Sequence, residues 1–233
     1  MTSVDENLRR YDLNAMGIQC WQELDVPGVA SEVSSQVETR NDASGNLESL
    51  ESEVQKCQKC KLHETRKQAL AGQFNPSSSI MFVLLSPNES DENTGQLCSG
   101  DARVLFEKML KAIDIAIEDV SITSLLKCRV PDLHTVSTAE IQHCNEYLKQ
   151  QIDSVSPELL VVLGDTAARC ILQRDSFLDE LRDELNADDI EHLLRYENVP
   201  MYFSYSPHEL LQNPENKRKA WSDLQRIQSL SCA

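Results

Sequence analysis

Ile80-Met81-Phe82-Val83-Leu84-Leu85-Ser86-Pro87 is the stretch on which the fold turns. Its first six side chains are apolar, so a strand made from them has no face suited to water and must lie in a sheet covered on both sides. Pro87 has no backbone N–H to give a neighbouring strand and closes the run. Leu159-Leu160-Val161-Val162-Leu163 repeats the pattern, and Gly164 turns it into a helix starting near Asp165. Residues 120–126 and 199–205 are expected as two further strands. Between them the period becomes helical. Residues 101–116 place Val104, Leu105, Leu110 and Ile113 on one broad face. Ser137 and Glu140 form a capping box for a helix carrying Ile141, Cys144, Leu148 and Ile152. Residues 175–197 are charged and read as a surface insertion, and a last helix covers about 214–227, with Trp221 read as core. Strands that alternate with helices and are apolar on both faces predict an α/β fold, a three-layer α/β/α sandwich about a four-stranded parallel sheet. Gly164 stands alone, so no dinucleotide fingerprint is present.

Outward from this body the composition changes. The whole chain has 233 residues, with 22 basic against 38 acidic side chains and a net charge of −16. That surplus of acid argues against a protein that grips duplex DNA by neutralising phosphates, so weak or no direct DNA binding is expected. No apolar stretch is long enough to cross a bilayer and no signal sequence is visible, which predicts a cytoplasmic protein. Residues 22–52 are rich in Ser, Glu and Asp, with Arg40 their one basic residue, and read as a disordered acidic linker about 30 Å from end to end. Before it, residues 1–21 hold Leu8, Tyr11, Leu13, Met16, Ile18 and Trp21, an apolar island that reads as a docking peptide or as a helix folded back on its own domain. The domain proper is expected over residues 53–230.

Eight cysteines in a chain of this kind point to metal or redox chemistry rather than to disulfides. Cys57 and Cys60 form Cys-Gln-Lys-Cys, a pair that can grip one metal centre, and the strand order brings Cys128 and Cys144 toward the same end. Four thiolates suit Zn²⁺ or an iron–sulfur cluster, and spacing does not choose between them. Cys128 and Cys144 also have a plainer reading as small buried hydrophobes, which is how Cys20, Cys98, Cys170 and Cys232 are taken.

An ordered series of motifs gives the chain a resemblance. Cys57-Gln-Lys-Cys60-Lys-Leu62, the strand ending at Pro87, Thr94-Gly95 and Gly100, Lys127-Cys128-Arg129-x-Pro131, Glu140-Ile141-x-x-Cys144, Pro157-x-Leu159-x-Val161-Val162-Leu163-Gly164 and Asn213-Pro214-x-x-Lys217-x-x-x-Trp221-x-Asp223-Leu224 follow one another. Together they resemble family 4 uracil-DNA glycosylases, the iron–sulfur members of that superfamily. The resemblance implies that Cys57, Cys60, Cys128 and Cys144 ligate a [4Fe-4S] cluster, and that the fold is uracil-DNA glycosylase-like. It also marks departures. Leu85 stands where the family has an acidic side chain, Ser206 where it has the histidine of His-Pro, Cys98 where a phenylalanine stacks on the base, and Ser124 where an asparagine reads the uracil edge. Glu89, Asp91, Glu92 and His208 lie nearby and read as solvated loop residues. On these departures no residue is expected to be catalytic, and a degenerate, non-enzymatic domain is predicted.

Tyr11-Asp-Leu13-Asn-Ala-Met16-Gly17-Ile18-Gln-Cys-Trp21 resembles the start of psi subunits of bacterial DNA polymerase III, and Ser206-Pro207-His208-Glu209-Leu210 and Asn213-Pro214…Trp221 echo later psi features. That likeness implies a non-catalytic clamp-loader accessory. Tyr11, Leu13, Met16, Ile18 and Trp21 would dock on the loader collar and the folded domain on the chi subunit, with single-stranded-DNA-binding protein reached indirectly. The alternatives are a divergent but active family 4 glycosylase and a redox-sensing regulator.

Overall fold

Each strand expected from an unbroken apolar run is present, and the helices between them follow the expected order. In the computed structural model, which describes residues 41–131, 134–186 and 190–231, the elements are α1 (Asn41–Lys56), β1 (Ile80–Leu84), α2 (Glu89–Thr94), α3 (Gly100–Lys111), β2 (Ser121–Ser124), α4 (Thr138–Val155), β3 (Leu159–Leu163), α5 (Asp165–Leu172), α6 (Leu178–Leu185), β4 (Arg195–Tyr196), β5 (Val199–Ser204), α7 (Pro207–Gln212) and α8 (Lys217–Ser231). All belong to one unit, residues 38–233. The docking peptide expected over residues 1–21 and the linker up to residue 40 lie outside the described residues.

The sheet order is β2-β1-β3-β5-β4. β1 pairs in parallel with β2 (Met81 opposite Ser121) and with β3 (Met81 opposite Leu160), and β3 pairs in parallel with β5 (Leu160 opposite Met201). Alternate residues feed two cores. Ile80, Phe82, Leu159 and Val161 face Phe106 and Leu110 of α3 and Ile227 of α8, and the Phe82 and Phe106 rings meet edge to face at 5.0 Å. Met81, Val83, Leu160 and Val162 face Leu148 and Ile152 of α4 and Ala167 and Ala168 of α5. The result is the three-layer α/β/α sandwich.

Four details differ from the sequence reading. The sheet has a fifth strand: Glu197 and Asn198 take positive φ (47° and 68°) and turn Arg195-Tyr196 back, antiparallel, onto Val199-Pro200. The insertion is more than surface, since Leu178 and Leu181 of α6 are buried in the second core. α1 begins at Asn41, inside the stretch assigned to the linker. Leu47, Leu50 and Val54, at helical spacing, give it an apolar side on which Leu50 and Val54 are buried. Trp221 is 42% exposed rather than core and lines a shallow apolar groove with Leu105 and Met109 of α3.

Candidate functional site

Two places on this frame gather chemistry-bearing side chains. The first is a small, tight cavity lined by Cys57, Cys60, Cys128 and Cys144. Cys57 follows the end of α1. Cys60 precedes a one-turn 3-10 helix (Lys61–Glu64), Cys128 follows β2, and Cys144 lies on α4. The sequence-predicted quartet is therefore brought together. Among the described residues no three ligating side chains are drawn into single-ion geometry; the sulfurs surround a shared space instead.

Each sulfur faces a hydrogen-bond donor. Arg66 Nη1 donates to Cys128 Sγ at 2.9 Å, while its Nη2 donates to Cys57 O at 2.7 Å and Gln55 O at 3.0 Å. The backbone N–H groups of Leu62 and Lys127 serve Cys60 and Cys144, and the Tyr147 hydroxyl serves Cys57. Burial pushes the thiols of Cys60 and Cys128 up and that of Cys144 to about 11. They are protonated when free and become thiolates only on binding a cation. Lys127 lines the same cavity and is fully buried, and burial lowers its ammonium pKa to about 7. Lys59 joins the Cys57–Cys60 loop to α4 through Glu146 at 2.6 Å and lies over the Tyr147 ring at 4.8 Å. Four convergent thiols, each with a donor, fit an iron–sulfur group. Arg66 and Tyr147 carry no motif that marks them in the sequence.

The second place is a cleft of about 430 Å³ at the carboxyl ends of the parallel strands, where open α/β sheets bind ligands. It is lined by the loop after β1 (Leu85, Pro87, Asn88, Glu89), by Arg129 after β2, by Gly164 and Thr166 after β3, and by Ser206, Pro207, His208 and Glu209 after β5. Asp91, expected as a solvated loop residue, is instead buried and structural. Its carboxylate closes a capping box with Asn88 and accepts Ser99 N–H at 2.7 Å, tying the start of α2 to the start of α3. Glu92 is likewise buried and accepts Lys67 N–H at 3.0 Å. Glu209 is held by Asp165 N–H at 2.8 Å and Ser206 N–H at 2.9 Å, across the starts of α5 and α7. Gly164 has φ 104°, and a Cβ there would stand 3.3 Å from that carboxylate.

Glu89 and His208 remain exposed at the cleft, and Arg129 Nη2 stands 3.7 Å from Glu89 Oε2. Of the four departure positions, Leu85, Cys98 and Ser206 line the cleft. Ser124 does not: it is fully buried, and its hydroxyl donates to Leu126 O at 2.9 Å.

The family model described as the uracil DNA glycosylase superfamily matches residues 71–225. A type-4 uracil-DNA glycosylase of Saccharolobus solfataricus is 30% identical over 183 residues, covering 78% of this chain and 85% of that protein. Those of Archaeoglobus fulgidus and Thermotoga maritima are each 29% identical, covering 79% and 78% of this chain and 93% of each relative. These matches overturn the psi-subunit reading. Relatives that share the body of the chain are named as uracil-DNA glycosylases. The collar, chi and single-stranded-DNA-binding-protein partnerships fall with it, as do the non-enzymatic prediction and the expectation of weak or no DNA contact. The psi likeness rested on about a dozen residues outside the described part of the chain and on two short late motifs, and charge summed over a whole chain says little about one cleft. By the family model the chain belongs to the uracil-DNA glycosylase superfamily, and by its relatives to the type-4 family within it.

Proposed function

We propose that the protein is a uracil-DNA glycosylase whose cleft, at the carboxyl ends of the strands, receives a uracil flipped out of DNA. The observation that carries this reading is the likeness to named glycosylases over 77–80% of the chain. Hydrolysis breaks the bond between the sugar C1′ and uracil N1. The electron pair leaves with uracil, a water oxygen bonds to C1′, and that water loses a proton. Leu85, Cys98 and Ser206 supply none of the charge needed, so the work falls to the charged groups of the same cleft. Glu89 takes the water's proton and faces the positive sugar. His208, next after Pro207, donates to the departing uracil oxygen. Arg129 positions Glu89 and meets the phosphate of the flipped nucleotide.

The test is a single-stranded oligonucleotide carrying one uracil, read by alkaline cleavage at the abasic site. The wild-type protein cleaves it, and E89Q and H208A each lose about 10²–10⁴-fold. No abasic product from the wild-type protein, or full activity in both variants, overturns the reading.

Cys57, Cys60, Cys128 and Cys144 are assigned to a [4Fe-4S] cluster, supported by their shared cavity and the donors around it. When bound, the group ties the end of α1, the loop after β2 and α4 together and adds ligation to the folding free energy. Iron content and broad visible absorption of anaerobically purified protein check this. The cytoplasm is proposed as its compartment, supported by the unpaired cysteines; among the described residues no helix is long and apolar enough to cross a membrane. Residues 1–21, with Tyr11, Leu13, Met16, Ile18 and Trp21 as anchors, are proposed as an apolar docking peptide with no assigned partner.

A further inference from the structure

Lys127 is fully buried, and its ammonium meets only neutral acceptors: Thr123 Oγ1 at 2.9 Å, Ser124 O at 2.5 Å and Gln151 Oε1 at 2.7 Å. Gln151 is fixed in that orientation, because its Nε2 donates to Ala71 O at 2.9 Å. Among the described residues no carboxylate pairs with Lys127. A buried cation without a counter-charge is costly, and proteins rarely keep one unless an anion stands beside it. The anionic groups within reach are the thiolates of the cavity it lines, Cys144 first among them. Arg66, which lines the same cavity, hydrogen-bonds the Cys128 sulfur and two carbonyls at the end of α1.

We propose that Lys127 and Arg66 form a cationic seat for the cysteine-bound centre, Lys127 as its buried counter-charge and Arg66 as its clamp, and that they set its reduction potential. The inference rests on the cluster assignment to the four cysteines. Four thiolates outweigh the positive charge of an iron–sulfur core, so the centre is an anion. Adding one electron makes it more so, and a cation a few ångströms away in a dry interior favours the reduced form. The Thr123–Gln151–Ala71 network serves this by holding the ammonium in place without neutralising it. Lys127 is thus a positioning residue toward the centre and has no part in bond breaking in the cleft.

The test uses the full chain, purified without oxygen, and the variants K127M, R66Q and R66K. Iron content and visible absorption of the wild-type protein test the cysteine assignment on their own, and a wild-type protein without iron sinks that assignment and this inference with it. Where the cluster is present, a mediator titration reads its potential. K127M and R66Q each favour the oxidised form about tenfold relative to wild type, a downward shift of about 59 mV for a one-electron couple, and R66K restores most of it. A purely structural role leaves the potential of the cluster-loaded variants unmoved, and that result overturns the proposal. Should K127M fail to fold, the contrast between R66Q and R66K still decides, because both keep a donor near Cys128 and only one keeps the charge.

Discussion

At the residue scale, a carboxylate's partners matter more than its place in a motif. Glu140 was legible as the third residue of a capping box, and the box is formed. What the sequence could not show is how fully the carboxylate is held. Ser137 N–H and Oγ–H each donate to Oε2 at 2.8 Å, and His134 Nε2 stands 3.0 Å from Oε1. Burial alone raises its pKa, but the bonds from Ser137 and His134 outweigh burial and hold it below the ordinary value. A group with a lowered folded pKa stabilises fully above its unfolded value of about 4.3, and that contribution is lost as pH falls through the folded value. E140Q is therefore expected to cost about 1 kcal/mol at neutral pH, by urea denaturation, and the difference from wild type should shrink below about pH 4. A difference independent of pH contradicts this account. The ligand cysteines were legible through their spacing. Arg66 and Tyr147 were not, because a side chain that reaches a sulfur from elsewhere in the chain leaves no local pattern.

At the scale of elements, the apolar runs announced β1, β3 and β5, whereas α1 was hidden. Half of its residues are Ser, Glu or Asn, and only Leu47, Leu50 and Val54 mark the side that packs beside Cys144 and Tyr147. V54A, at a position with no exposure, should cost about 1–3 kcal/mol and raise amide exchange across residues 46–60. If exchange there is unchanged, α1 does not depend on this contact. α6 was similarly read as surface from its charges, yet one of those charges is an anchor. Arg182 Nε and Nη2 donate to the buried Asp223 of α8 at 3.0 and 2.5 Å, and Ser204 Oγ of β5 donates to the same carboxylate at 2.6 Å. Burial pushes Asp223 up, with Arg182 and Ser204 opposing, so removing Arg182 leaves a buried carboxylate without its counter-charge. R182M should cost about 3 kcal/mol, and proteolysis should then cut first within residues 175–197. A double variant R182M/D223L should recover much of that loss, since it leaves no stranded charge. If the double variant is no more stable than R182M, the stranded carboxylate is not the cause.

For the molecule as a whole, the charges that line the cleft constrain how it meets DNA. Arg129 is the cation that lines the cleft, while Glu89 and Glu209 line it as acids. Affinity for a single strand then cannot come from many phosphate contacts; it must come from base burial and a few placed groups. Each phosphate neutralised adds about −0.7 to the slope of log affinity against log salt on single strands. With Arg129 and one or two surface lysines engaged, binding of a uracil-containing single strand between about 50 and 200 mM salt should show a slope no steeper than about −2. R129Q should flatten it by about 0.7, the loss of one contact. A slope steeper than about −4 would mean that a broad cationic surface carries the DNA instead. That result would require the DNA path to run over a surface other than this cleft.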